Sequence, residues 1–114
     1  MKYMDINITK QNEVTVVQVV GEIDGSTAPA AQEQILPAVQ AGGKVLLDMS
    51  RLEYMSSAGL RMMLLLHRQA TSSGGRVVLV GLSEEIQDTM SATGFLGYFT
   101  VVDTLEAGQK ALQQ

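Results

Sequence analysis

The chain of 114 residues has no cysteine and no tryptophan, and it carries a single histidine and two prolines. Without cysteine there can be no disulfide, no thiolate metal site and no cysteine nucleophile. One histidine among scattered carboxylates makes no zinc pattern. No Gly-x-x-x-x-Gly-Lys-Ser/Thr loop is present to cradle a nucleotide's phosphates. Basic residues are scarce. Eight Lys and Arg stand against twelve Asp and Glu, for a net charge of −4, and they form no run, so nucleic acid is not an expected partner. Long apolar stretches are missing too. The longest, Met62 to Leu66, falls far short of the roughly 20 residues that span a bilayer. The opening MKYMDINITK lacks the apolar core of a signal peptide, so a cytoplasmic location is expected.

What is present describes an ordinary globular domain. The composition is 46% hydrophobic and 18% charged, which argues against disorder. The length suits one domain over 1–114, large enough to bury about two-thirds of the surface its unfolded chain exposes.

The pattern along the chain predicts alternating strands and helices. Met4 to Lys10 alternates and reads as a short strand, Gln11-Asn12-Glu13 as a turn, and the β-branched run Val14 to Val20 as its hairpin partner. Ser26 is the expected cap of a helix reaching about Ala41, with Pro29 tolerated in its first turn and Pro37 expected to kink or end it. Lys44 to Met49 reads as a buried strand ending near Asp48. Ala58 to Ser73 reads as a long helix stopped by Gly74-Gly75, and Arg76 to Val80 as another buried strand. Ser83 caps a third helix to about Thr93. Phe99 to Val102 is a last strand, and Thr104 to about Leu112 a fourth helix. The fold class is α/β: a mixed, mostly parallel sheet with an N-terminal hairpin and about four helices.

In such sheets functional groups gather beyond the carboxyl ends of the strands. Asp24, Asp48 and the pair Ser56-Ser57 are all expected there. The serines carry the sharpest question. Two hydroxyls at a helix start sit beside unpaired N–H groups and the positive end of the helix dipole. They are either a plain cap or a place where a phosphate is put on and removed. Nucleophilic catalysis is disfavoured. Met55-Ser56-Ser57-Ala58-Gly59 is not a Gly-x-Ser-x-Gly elbow, and His67 lies about 15 Å along the helix, too far to act as a base. Asp24 and Asp48 have structural readings of their own, as a turn residue and a strand-end acceptor.

On a helical wheel Leu60, Met63, Leu64, Leu66 and Ala70 share a core face. Met62 and Leu65 fall outside it, beside Arg61, Arg68 and Gln69. Either a neighbouring helix covers these two, or they belong to a partner surface, where Met and Arg are enriched.

Taken together, the segments Gly21-Glu22-Ile23-Asp24, Val45-Leu46-Leu47-Asp48, Met55-Ser56-Ser57-Ala58-Gly59-Leu60, Gly74-Gly75-Arg76-Val77 and Met90-Ser91-Ala92-Thr93-Gly94-Phe95 resemble the STAS domain. The likeness is to its stand-alone bacterial anti-sigma factor antagonists, and it runs nearly end to end. In that family the helix start reads Asp-Ser-(Ser or Thr)-Gly-Leu, and its serine is phosphorylated. Aligning on Gly59-Leu60 places that serine at Ser57, with Ser56 second choice. Ser56 then stands where relatives carry an acid, and Ala58 where they carry Ser or Thr. The resemblance implies a partner-binding surface of Asp24, Ser56, Ser57, Ala58, Gly59, Arg61, Met62 and Leu65. It implies a partner that is an anti-sigma factor with serine kinase activity, and a PP2C-type phosphatase that resets the switch. No metal, cofactor or small-molecule substrate belongs to this chain on that reading, and it is not an enzyme. The alternative it leaves open is a constitutive STAS scaffold or subunit whose binding ignores phosphorylation.

Overall fold

The computed structural model describes residues 3–113. The chain forms strands β1 (Met4–Gln11), β2 (Val14–Ile23), β3 (Lys44–Met55), β4 (Arg76–Val80) and β5 (Thr100–Val102). Helices α1 (Ala28–Gln40), α2 (Ser57–Ser72), α3 (Glu84–Ala92) and α4 (Leu105–Leu112) are interleaved with them, and a 3-10 turn covers Leu96–Tyr98. The sheet order is β1-β2-β3-β4-β5, with β1 antiparallel to β2 and every later pair parallel. This is the mixed sheet with an opening hairpin that the pattern predicts.

The hairpin closes on Asn12 and Glu13, both at positive φ (54° and 66°), between the paired residues Gln11 and Val14. A two-residue loop with left-handed geometry at both positions matches the right-handed twist of the strands it joins.

Each parallel step moves one strand further in the same direction. Right-handed crossovers then place α1, α2 and α3 on one face of the sheet. Strand alternation supplies that face with Val17, Val19, Val45, Leu47, Met49 and Leu79, which join Ile35, Met63, Leu66 and Met90 of the helices in the main core. The opposite face buries Val14, Val16, Leu46, Val78 and Val80 beneath α4, with Leu112 fully enclosed.

Five sequence-based expectations change. β2 runs past Val20 to Ile23. β3 does not end near Asp48 but runs on to Met55, because its outer half stays paired with β2 up to Ile23↔Met55 after β4 has stopped at Val80. The N-cap of α1 is Thr27, one residue past Ser26. Pro37 does not end α1 early; it lies in the last turn, where its own carbonyl still accepts the Ala41 N–H at 3.2 Å. The 3-10 turn before β5 was not foreseen. Among the described residues no helix is long and apolar enough to cross a membrane.

Candidate functional site at the start of helix α2

The long outer half of β3 carries the chain out to Met55. There the Ser56 N–H donates to the Ile23 carbonyl at 2.9 Å, fixing the turn against the end of β2. Ser56 is extended (φ −85°, ψ −179°), and its hydroxyl accepts the Ala58 N–H at 3.2 Å, the geometry of an N-cap. Its carbonyl accepts the Leu60 N–H at 3.0 Å, the first intrahelical bond. The N–H groups of Ser57, Ala58 and Gly59 precede that bond and lie in the part of a helix that favours an anion. The first turn contains no acidic residue.

The two serines are therefore not equivalent. Ser56 is half-buried, and its hydroxyl is engaged as the cap. Ser57 is the first helical residue and is exposed, and among the described residues its hydroxyl has no hydrogen-bond partner. The position where relatives carry an acid is thus the N-cap. Ser and Asp are both strong caps, so this chain keeps the capping role and omits the charge.

Gly59 holds the turn close to the sheet. A Cβ at this position would strike the Met55 side chain and come within 3.0 Å of the Ile23 Cγ2. A bare backbone lets α2 start directly over the ends of β2 and β3, and Leu60 and Met63 then anchor it in the core.

Asp24 lies beside this turn, one residue after Ile23. It is only 6% exposed. Its Oδ1 accepts the Ser26 N–H at 2.8 Å, the Ser26 hydroxyl at 2.7 Å and the Thr27 N–H at 3.2 Å. Its carbonyl accepts the Ala28 N–H at 2.8 Å. Thr27 completes the loop, its hydroxyl donating to the Glu22 carbonyl and accepting from the Asp24 N–H. Asp24 shapes the start of α1 and so the wall next to the serines.

Asp48 does not join them. It pairs with Gln18 in the middle of the sheet, its neighbours in sequence Leu47 and Met49 both facing the helix-covered core. Alternation turns it to the other face, where it borders a shallow depression with Gln18 and Leu105. Its Oδ1 accepts the Ser50 N–H at 3.1 Å and the Ser50 hydroxyl at 2.7 Å. Met55 lies seven positions further on, about 23 Å of extended strand. The expected convergence of Asp48 with the serines is corrected: the extra length of β3 separates them.

Beyond the serines the structure sorts the remaining candidates. Arg61 is exposed, and Ala58 and Leu65 are half-buried. Met62 is 3% exposed and sits in the main core, where α1 packs against α2. Buried there, Met62 offers no surface to a partner. Gly59 is buried. One exposed residue was missed: Tyr54, 48% exposed, three positions before Ser57 on the outer half of β3. Reading Arg51 to Met55 as strand rather than connection would have turned attention to it. His67 lies in ring contact with Tyr98 and Phe99, at the other half of α2. Among the described residues no group of three His, Cys, Asp or Glu side chains is placed to hold a metal.

Comparison with known proteins bears on the whole chain. The STAS domain profile matches residues 5–108. BtrV of Bordetella bronchiseptica is 30% identical over 111 residues, covering 96% of this chain and 96% of its own. The anti-sigma-B factor antagonist of Bacillus subtilis is 30% identical over 107 residues, 92% of this chain and 98% of its own. Among solved structures, an anti-sigma factor antagonist from Mycobacterium paratuberculosis superposes with a TM-score of 0.87 at 24% identity, covering 98% of this chain and 96% of its own. The Bacillus antagonist SpoIIAA shares the fold in its unphosphorylated form (TM-score 0.78, 19% identity, 97% of this chain and 96% of its own). It does so in its phosphorylated form as well (TM-score 0.72, 22% identity, 96% and 98%).

Proposed function

This chain belongs to the STAS domain family, and on that premise we propose that it is an anti-sigma factor antagonist switched by phosphorylation of Ser57. The observation that carries the reading is the division of labour between the serines. Ser56 is committed to the cap, while Ser57, exposed and uncommitted, is the hydroxyl a kinase can reach. Unphosphorylated, the protein binds a cognate anti-sigma factor that is itself a serine kinase, and this frees a sigma factor or another regulator. Phosphorylation ends the complex, and a PP2C-type phosphatase restores it. ATP and Mg²⁺ belong to the kinase, the chain itself does no catalysis, and the cycle runs in the cytoplasm.

Elementary electrostatics suits such a switch. A phosphate adds about −1.5 to −2 charge. At Ser57 it meets the start of α2 and the positive end of its dipole, so the domain tolerates it. At a protein interface the same group must be desolvated against the partner. A loss of about 3–4 kcal/mol of binding would weaken affinity a few hundredfold. The contact surface on this reading comprises Ser57, Ala58, Arg61 and Leu65, the turn shaped by Asp24 and Ser56, and Tyr54 on the adjoining strand.

The test is incubation with the cognate kinase and ATP, followed by intact-mass and phosphosite analysis of wild type, Ser56→Ala and Ser57→Ala, with partner affinity measured by calorimetry. Ser57→Ala is expected to bind and to resist phosphorylation; Ser57→Asp is expected to bind weakly while remaining folded. Phosphate on Ser57→Ala equal to wild type would transfer the site to Ser56. Unchanged affinity after stoichiometric modification of Ser57 would make the chain a constitutive scaffold.

A further inference from the structure

The second half of α2 lines a cavity that the switch does not use. A groove of about 540 Å³ opens between α2 and the 3-10 turn before β5. That volume lies within the range of small-molecule sites, roughly 300–1,000 Å³. Leu64 and Phe95, both half-buried, give it an apolar floor. Tyr98, 58% exposed, forms one wall, with its ring 6.2 Å from that of His67. His67 in turn meets the Phe99 ring edge-on at 5.4 Å. The groove thus presents aromatic faces and edges at its side.

Its charge is of one sign. Arg68 lines the groove, and among the described residues no carboxylate pairs with it. Thr71 lines the same rim, its hydroxyl donating to the His67 carbonyl at 3.0 Å. Arg76 borders the adjoining depression, which shares His67, Thr71 and Tyr98, and its guanidinium is held by the Ala111 carbonyl at 2.8 Å. Neither depression is lined by an aspartate or glutamate, although acids outnumber bases in this chain by twelve to eight. Such a site matches a ligand with a flat apolar body and a single negative end: the body lies on Leu64 and Phe95 beside Tyr98, and the anion meets a planar guanidinium suited to two parallel hydrogen bonds.

We propose that this groove is a binding site for an aromatic carboxylate. The proposal does not rest on the phosphorylation reading. Residues 67–71 lie ten to fourteen positions beyond Ser57, about 15–21 Å along the helix, so the two sites can be occupied together.

The test uses 2-naphthoate and its uncharged counterpart 2-naphthamide, titrated into the ¹⁵N-labelled full chain. Naphthoate is expected to shift amide signals of residues 64–72 and 95–99 in a saturable manner. Naphthamide should bind about tenfold more weakly, and Arg68→Ala should weaken naphthoate by a similar factor with no effect on naphthamide. Arg68 and Tyr98 are exposed, so Arg68→Ala and Tyr98→Ala should keep the wild-type spectrum elsewhere; Tyr98→Ala should weaken both ligands. Shifts scattered over the whole surface, equal affinity for the two ligands, indifference to Arg68→Ala, or no saturation at millimolar ligand would each overturn the proposal. Any of these results leaves the assignment of Ser57 untouched, since that is read by phosphosite mapping.

Discussion

The Ser56 hydroxyl accepts the Ala58 N–H at 3.2 Å, and this one bond distinguishes two adjacent serines that are chemically alike. Ser56→Ala should lose about 1 kcal/mol of stability in urea unfolding, the usual cost of a lost cap. Ser57→Ala should stay within about 0.5 kcal/mol of wild type, as exposed substitutions generally do. Ser56→Asp should retain the cap. If Ser57→Ala were the more damaging change, the roles assigned to the two hydroxyls would be reversed.

Arg61 is exposed one turn after Ser57, at the i, i+4 spacing where side chains on a helix meet. A phosphate on Ser57 can therefore pair with it while also complementing the helix dipole. The phosphorylated protein should melt no lower than the unmodified one, with a gain of about 0.3–1 kcal/mol at low salt. Arg61→Ala should remove part of that gain without altering the unmodified protein much. A clear drop in melting temperature on phosphorylation would mean that the switch acts by loosening the fold rather than by changing the surface.

Gly59→Ala places a methyl against Met55 and Ile23. Overpacking of this kind costs about 1–3 kcal/mol, partly offset by the better helix propensity of alanine, about 1 kcal/mol. A net loss near 1 kcal/mol is expected by denaturant unfolding. Combining it with Met55→Ala should cost less than the sum of the two single changes, because the collision is with that side chain. Strict additivity would show that Met55 is not what the methyl meets.

The hairpin turn offers a gain. Glu13 holds φ at +66°, a conformation in which a side chain is strained and glycine is not. Asn-Gly is the favoured pair for a two-residue turn of this kind. Glu13→Gly should raise stability by about 0.5–1 kcal/mol, a few degrees in melting temperature for a domain of this size. A fall instead would show that Glu13 makes a contact outweighing its backbone strain.

Much of this architecture was legible because its signals are local. Glycines punctuate it after α1 and α2, Ser83 caps α3 as read, and the buried strands are β-branched runs. The errors share a different cause. Residues 50–55 mix polar side chains with apolar ones and resemble a connection, yet pairing along one edge with β2 keeps them in the sheet. Met62 falls on the polar side of the wheel, yet the fold buries it in the main core. Asp48 looked like a strand end because a carboxylate in mid-strand is unusual; Ser50, two residues on, satisfies it from its own strand. The start of α2 stood out from its residue types alone. That Ser56 rather than Ser57 would serve as the cap did not follow from spacing, because either hydroxyl could have faced the turn.

The sheet order β1-β2-β3-β4-β5 has a consequence for how the protein is made. No strand is inserted between two that precede it. Each docks on the one synthesised just before, through a helical crossover or, at the start, a two-residue turn. Loop closure is therefore short at every step, which favours rapid assembly. A nascent chain leaving the ribosome N-terminus first can grow its sheet from one edge to the other and need never reopen a pairing already made.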